Sequence, residues 1–173
     1  MKNYKALLKK INTFVFDYDG VFTNGTIILQ NNGEPLRTSN VKDGYAIQLA
    51  NKKGYRVVII SGGKSESMTN RFKLLKVNDV FLGVERKIEV FEKYLKDHNI
   101  EAENTVYMGD DIPDYEVMKK AGVACCPADA AEEIRSISHY ISHQNGGEGC
   151  VRDIIEQVLK VQGKWMNEDA YMW

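Results

Sequence analysis

Residues 14–20 read Phe14-Val15-Phe16-Asp17-Tyr18-Asp19-Gly20, three apolar residues that stop at two carboxylates spaced two apart and then a glycine. A short, continuously apolar run ended by a turn residue reads as a strand buried on both faces, the kind found inside a parallel sheet. The pattern recurs. Val57-Val58-Ile59-Ile60, Val80-Phe81-Leu82, Val106-Tyr107-Met108 and Val123-Ala124-Cys125 are runs of the same kind, with a weaker one around Tyr140-Ile141. Between them, 42–53, 65–75, 86–97, 113–120 and 130–137 read as helices, and a last helix is expected over 149–161. This alternation predicts an α/β fold, a Rossmann-like three-layer sandwich with a mostly parallel sheet.

One stretch breaks the alternation. Within 22–40, Ile27 and Leu29 alternate with polar neighbours, Asn31-Asn32-Gly33 offers a turn, and Glu34-Pro35-Leu36-Arg37-Thr38 returns, which predicts a small β-hairpin flap straight after the first strand. There it would overhang the carboxyl edge of the sheet, where open α/β folds bind ligands, and it is too small to be a cap domain. At 173 residues, 43 % hydrophobic and 27 % charged, the chain has the make-up of one globular domain over 1–173, with a C-terminal tail from 163 to 173. A net charge of −1 speaks against a nucleic-acid binder, which needs concentrated Lys and Arg. No apolar run has the length of a signal peptide or a membrane span, so a cytoplasmic protein with no membrane partner is expected. Cys125, Cys126 and Cys150 lack zinc-site or disulfide spacing and read as reduced core residues; His98, His139 and His143 show no metal-ligand spacing either.

Chemistry gathers at the strand ends. Asp17 follows the first run, Ser61 the second, Gly83 and then Lys87 the third, and Gly109-Asp110-Asp111 the fourth. Parallel strands finish at one edge, so these groups should face one crevice. The combination suits phosphoryl transfer. A phosphomonoester is doubly anionic and repels an attacking carboxylate until a cation intervenes, and Mg2+ prefers oxygen ligands. Asp17, Asp19 and Asp110 are the candidate metal ligands, Asp17 and Asp110 through their carboxylates. Asp17 is also the candidate nucleophile, forming an aspartyl phosphate, and Asp19, beside the Gly20 turn, the candidate general acid and base. Ser61, Gly62 and Lys87 are the candidate phosphate-binding residues. Asp111 and Asp114 would hold metal-bound waters or orient Lys87.

Taken singly, several of these have blander explanations. Asp110-Asp111 alone is more often a helix cap, and Lys87 alone a solvated helix lysine. A calcium-loop reading of Asp17-Tyr18-Asp19-Gly20 fails at Val21, where a third oxygen ligand is needed. Position after successive strands is what promotes the set.

With these residues in place, the chain resembles the haloacid dehalogenase superfamily. FVFDYDGVFT (14–23), VIISGG (58–63), the lysine of GVERK (83–87) and YMGDDIPD (107–114) look like its four motifs in the family's order. In that family the second aspartate of the first motif, here Asp19, separates phosphatases from dehalogenases, phosphonate hydrolases and cation-pumping ATPases. The resemblance therefore implies a Mg2+-dependent phosphatase. Through the hairpin with NVKDGYAIQLA (40–50), GGEGCVRD (146–153) and VLKVQGKW (158–165), it narrows to the capless branch acting on sugar-acid phosphates, typified by 3-deoxy-D-manno-octulosonate 8-phosphate phosphatases of lipopolysaccharide synthesis. That branch implies a homotetramer with hairpins packed at its centre and a neighbour's surface, sometimes with a C-terminal tail, closing each site. Two departures bear on the substrate. Gly63-Lys64 stands where many relatives carry arginine, which makes Lys64 the candidate partner of a substrate carboxylate, with Asp43 a further candidate substrate contact. Glu148 stands where octulosonate phosphatases often carry a basic residue, which keeps a nonulosonate 9-phosphate open as the substrate. Two readings of another class are a phosphorylation switch, whose receiver domains carry the modified aspartate on a middle strand after an acidic pair on the first, and a non-catalytic assembly module, against which the complete motif set speaks.

Overall fold

The structure, a computed structural model, describes residues 4–172 except 32 and 34 and the side chain of Asp169. β1 (Thr13–Phe16) is buried at every residue, as its unbroken apolar character requires. β2 (Arg56–Ser61) and β3 (Asp79–Leu82) lie on one side of it, and β4 (Thr105–Met108), β5 (Val123–Cys126) and β6 (Tyr140–Ile141) on the other. The order is β3-β2-β1-β4-β5-β6, with every pairing parallel. From β1 the chain walks outward to β3, returns to β4 and walks the other way. This reversal opens a crevice between the carboxyl ends of β1 and β4. Phe16 lies opposite Met108, and the Asp17 N–H donates to the Met108 carbonyl at 3.0 Å, so the two loops that leave there start level.

Seven helices occur among the described residues: α1 (Tyr4–Leu8), α2 (Val41–Lys52), α3 (Glu66–Leu74), α4 (Lys87–Asp97), α5 (Tyr115–Lys120), α6 (Glu132–Ile137) and α7 (Cys150–Val161). Helices α1, α2, α3 and α7 cover Phe14, Phe16, Val57 and Ile59 on one face of the sheet. Helices α4, α5 and α6 cover Val15, Val58, Ile60 and Tyr107 on the other. Alternate residues of each strand thus feed two cores, which is the three-layer sandwich that the sequence predicts. All three cysteines are buried and unbridged.

Two local features differ from expectation. Among the described residues the flap shows one antiparallel bridge, Ile28 to Leu36, with backbone bonds of 3.1 and 3.0 Å; Asn32 of the predicted turn and Glu34 of its return limb lie outside the described residues. A two-stranded ribbon with no third strand is marginal, and Ile28 and Leu29 are 58 % and 86 % exposed. The helix expected over 113–120 opens instead with a 3-10 turn, Ile112–Asp114, containing Pro113. The tail docks through a 3-10 turn, Glu168–Tyr171, with the Tyr45 hydroxyl of α2 donating to the Ala170 carbonyl at 2.5 Å; Trp173 lies outside the described residues.

Asp43 caps a neighbouring helix. The residue that precedes helix α7 is Gly149, whose φ of 110° favours glycine and which therefore offers no side chain to cap the N–H groups of the first turn. Asp43 reaches across from α2 and supplies the missing acceptor: its Oδ1 takes the Arg152 N–H at 2.7 Å. Its side chain is buried between helices and is not among the residues that line the crevice. Burial pushes its pKa up to about 6, against the opposing pull of the Arg152 hydrogen bond and charge. The folded state therefore holds the proton more tightly than the unfolded chain, and Asp43's contribution to stability falls as pH rises from about 4 to about 6. Asp43→Asn keeps the acceptor and removes the buried charge, so urea unfolding should become less pH-dependent across that window. Asp43→Ala should cost about 1–2 kcal/mol at neutral pH, and an unchanged urea midpoint would refute the capping role.

Candidate active site

A crevice of about 420 Å³ opens at the switch between β1 and β4, walled by the loops that follow β1 to β4. Asp17 is the first residue past β1 and is almost wholly buried. The chain then turns tightly. The Tyr18 carbonyl accepts from the N–H groups of Val21, Phe22 and Thr23, and Thr23 Oγ1 accepts from those of Gly20 and Gly25. Gly20 has φ +82°, and a Cβ there would stand 1.9 Å from Asp110 Oδ2, so only glycine lets the turn and that carboxylate share the space. The glycine-rich loop braces the turn from behind: the Gly147 N–H donates to the Val21 carbonyl at 2.9 Å.

Lys87, at the start of α4, is buried rather than solvated. Its Nζ lies 2.9 Å from Asp17 Oδ1 and 2.7 Å from Asp114 Oδ1. Asp114 Oδ1 also accepts from the Tyr107 hydroxyl at 2.6 Å, and Asp114 Oδ2 accepts from the Asp110 N–H at 3.2 Å. Asp17, Asp110 and Asp114 bring one oxygen each within 4.8 Å of one another. Asp114's oxygens are both engaged, which suits a residue that orients Lys87. Asp110 Oδ1, by contrast, is buried with no hydrogen-bond partner.

This arrangement strains against its own charge. Burial, then the Asp114 carboxylate, push the Asp17 pKa up to about 7 despite Lys87; burial, then Asp17 and Asp114, push Asp110 up to about 8. Burial works against the Lys87 ammonium, yet Asp114 and Asp17 more than offset it and raise its pKa. Oxygen donors that repel one another, one of them unpartnered, fit a hard divalent cation, which would satisfy the orphaned atom and relieve the repulsion. Asp17 and Asp110 are the carboxylates with capacity for it.

The remaining candidates fall into place unevenly. Ser61 ends β2, its Oγ accepting from the Gly63 N–H at 3.1 Å, and with Gly62 it lines the crevice opposite Lys87's loop. Asp111 lines the mouth while its Oδ1 accepts from the Ile112 N–H as a cap, so its bland and its functional reading coexist. Asp19 lines the crevice too, but both its oxygens accept from Arg37 of the flap: Nε to Oδ1 at 2.6 Å and Nη2 to Oδ2 at 3.0 Å. Lys64 is exposed, its Cδ passing beside Gly83, and is not among the lining residues. Glu148 borders a separate polar cavity with Lys42, His143 and Arg152. Arg37 and Tyr107 are the two participants that the sequence did not single out. A basic residue on a segment overhanging the strand ends, and a tyrosine inside an otherwise apolar strand that needs a partner for its hydroxyl, were the available signals.

The family described as haloacid dehalogenase-like hydrolase matches residues 40–128. A 3-deoxy-D-manno-octulosonate 8-phosphate phosphatase of Salmonella typhi is 36 % identical over 156 residues, 90 % of this chain and 83 % of that one. The crystal structure of the enzyme so named from Yersinia pestis has a TM-score of 0.92 at 29 % identity, covering 94 % of this chain and 88 % of that one. The one from Moraxella catarrhalis, in complex with a magnesium ion, a phosphate ion and KDO, has a TM-score of 0.92 at 30 % identity and covers 95 % of each chain.

Gly20→Ala offers a check on the crowding at Asp110. The added methyl should push that carboxylate aside and weaken magnesium binding by about tenfold or more in calorimetry, with the circular dichroism spectrum retained. Unaltered binding would mean that Asp110 has room to spare.

Proposed function

Because the chain belongs to the haloacid dehalogenase-like hydrolases, we propose that it hydrolyses 3-deoxy-D-manno-octulosonate 8-phosphate to the free sugar acid and inorganic phosphate. The observation that carries the reading is the meeting of Asp17 and Asp110 at the sheet's switch point, with Asp110 Oδ1 unpartnered. Magnesium is the cofactor; Asp17, Asp19 and Asp110 would hold it, and when bound it would offset the charge that turns a carboxylate away from a phosphoryl dianion. The Asp17 carboxylate attacks phosphorus and the bond to the sugar oxygen breaks, leaving an aspartyl phosphate. Asp19 gives its proton to the departing oxygen, then takes one from the water that hydrolyses the intermediate. Lys87 Nζ, Ser61 Oγ and the Gly62 N–H bind the phosphoryl oxygens, Asp114 keeps Lys87 aimed, and Asp111 serves as an outer partner at the mouth.

Lys64, on the loop that carries Gly62 and Gly63, is the proposed partner of the substrate carboxylate. The exposed apolar flap residues Ile28 and Leu29 support assembly into a homotetramer, which would cover them. Two cores on either side of one sheet support reading 1–173 as a single domain. Among the described residues no helix is long and apolar enough to cross a membrane. The reading carries with it a cytoplasmic place in lipopolysaccharide precursor synthesis.

Steady-state phosphate release with magnesium should favour octulosonate 8-phosphate over nonulosonate 9-phosphate and simple sugar phosphates. Faster turnover of the nine-carbon ester would move the assignment to that substrate, the reading that Glu148 keeps open; preference for simple sugar phosphates would remove the sugar-acid assignment altogether. Asp17→Asn should lower turnover by about a thousandfold or more while the protein stays folded, and retained activity would remove the nucleophile.

A further inference from the structure

Arg37 follows Leu36 on the return limb of the flap, and its side chain is only 6 % exposed. Its two-pronged grip on Asp19 has a consequence for the chemistry. While both Asp19 oxygens accept from the guanidinium, the carboxylate, 31 % exposed at the crevice, is held in the orientation that Arg37 sets. Yet the proposed reaction needs one of them at each step.

Two observations say where the guanidinium can go instead. A Cβ on Gly63 would lie 2.8 Å from Asp19 Oδ2, 3.3 Å from Arg37 Nη2 and 3.5 Å from Ser61 Oγ. The missing side chain at 63 therefore leaves open the space that joins Arg37 to the serine of the proposed phosphate cradle. The charge balance points the same way. Asp17, Asp19, Glu85, Asp110, Asp111 and Asp114 line the crevice against one lining cation, Lys87, whose ammonium is already shared by two carboxylates. Beside the magnesium of the proposed reaction, an incoming phosphoryl dianion meets only that shared ammonium among the lining side chains, and a guanidinium fork suits phosphate oxygens as well as it suits a carboxylate.

We infer that Arg37 is a phosphate-binding residue that exchanges partners, gripping Asp19 in the substrate-free crevice and turning across the gap at Gly63 to the phosphoryl oxygens when substrate enters. The exchange frees Asp19 for proton transfer as the phosphoryl group arrives, and it makes the flap part of the phosphate site. This rests on the phosphatase reading given above and extends it to a residue outside the motif set.

The test is a double-mutant cycle on the binding of inorganic phosphate, measured by calorimetry with magnesium present. Arg37→Ala should weaken binding by about tenfold or more. Asp19→Asn removes the competing grip, so it should tighten binding by about tenfold in the presence of Arg37 and by less than about threefold in the Arg37→Ala background. Arg37→Lys, which keeps the charge without the fork, should fall between wild type and Arg37→Ala; it also carries the cycle if the alanine variant does not fold. Phosphate affinity untouched by loss of Arg37, or an equal gain from Asp19→Asn in both backgrounds, would overturn the exchange and leave Arg37 as a fixed support for Asp19. Wild-type turnover of the sugar-acid phosphate, measured alongside, judges the phosphatase reading separately.

Discussion

The molecule is arranged around a repulsion. Asp17, Asp110 and Asp114 are held within one ion's reach of each other at the end of a hydrophobic sheet, and a single lysine ammonium stands among them. Burying like charges is unfavourable, and the fold must supply the restraint. It does so through rigid backbone. The Asp17 N–H is tied to β4, the Asp110 N–H to the Asp114 carboxylate, and that carboxylate to Tyr107 in the strand interior. The two cores that pack the sheet keep those strands in register, so hydrophobic burial far from the crevice sustains an electrostatic arrangement that would otherwise fly apart. Burial first, and then the neighbouring carboxylates, raise the pKa values of Asp17 and Asp110, and a divalent cation held there would relieve that charge.

Close backbone approach is the second constraint. A Cβ on Gly109 would stand 2.4 Å from the Asp114 Cβ, and one on Gly146 would stand 2.0 Å from the Gly20 carbonyl. Glycines at these points let the loops of the crevice lie close on one another, which brings acidic groups from distant segments to one point. Over this floor lies the flap, thinly hydrogen-bonded and apolar on its outer side, yet sending one guanidinium inward to Asp19. Assembly, if it covers the flap, would therefore bear on the crevice through Arg37.

Much of this was legible in the chain itself. The buried strands announced themselves because a strand covered on both faces needs an unbroken apolar run, and the polar residue that ends each run had to emerge at the common edge. Legibility declined where that rule weakens. Tyr140-Ile141 at the sheet edge is partly exposed and gave a faint signal, α1 is too short for a helical period, and the flap alternated like a hairpin while lacking the neighbouring strand that would regularise one. Lys87 taken alone looked like a solvated lysine and was promoted only by its place after the third strand, since nothing local says that two carboxylates will surround it.

What the sequence determined unaided was order and chemistry: strand and helix in alternation, an aspartate at the end of the first and fourth strands, a serine and a lysine after the second and third, and hence a phosphoryl-transfer crevice. These follow from periodicity and from the parallel sheet's single carboxyl edge, both of which act through neighbouring residues. Tertiary structure alone decided which oxygens are engaged and which are left over. Asp43 and Asp19 are both acidic residues close to glycines, yet one caps a helix from another helix and the other is gripped by the flap. Those outcomes depend on contacts between segments 18 to 109 residues apart, and no local pattern carries them because the partner's position is set only when the sheet and its helices close.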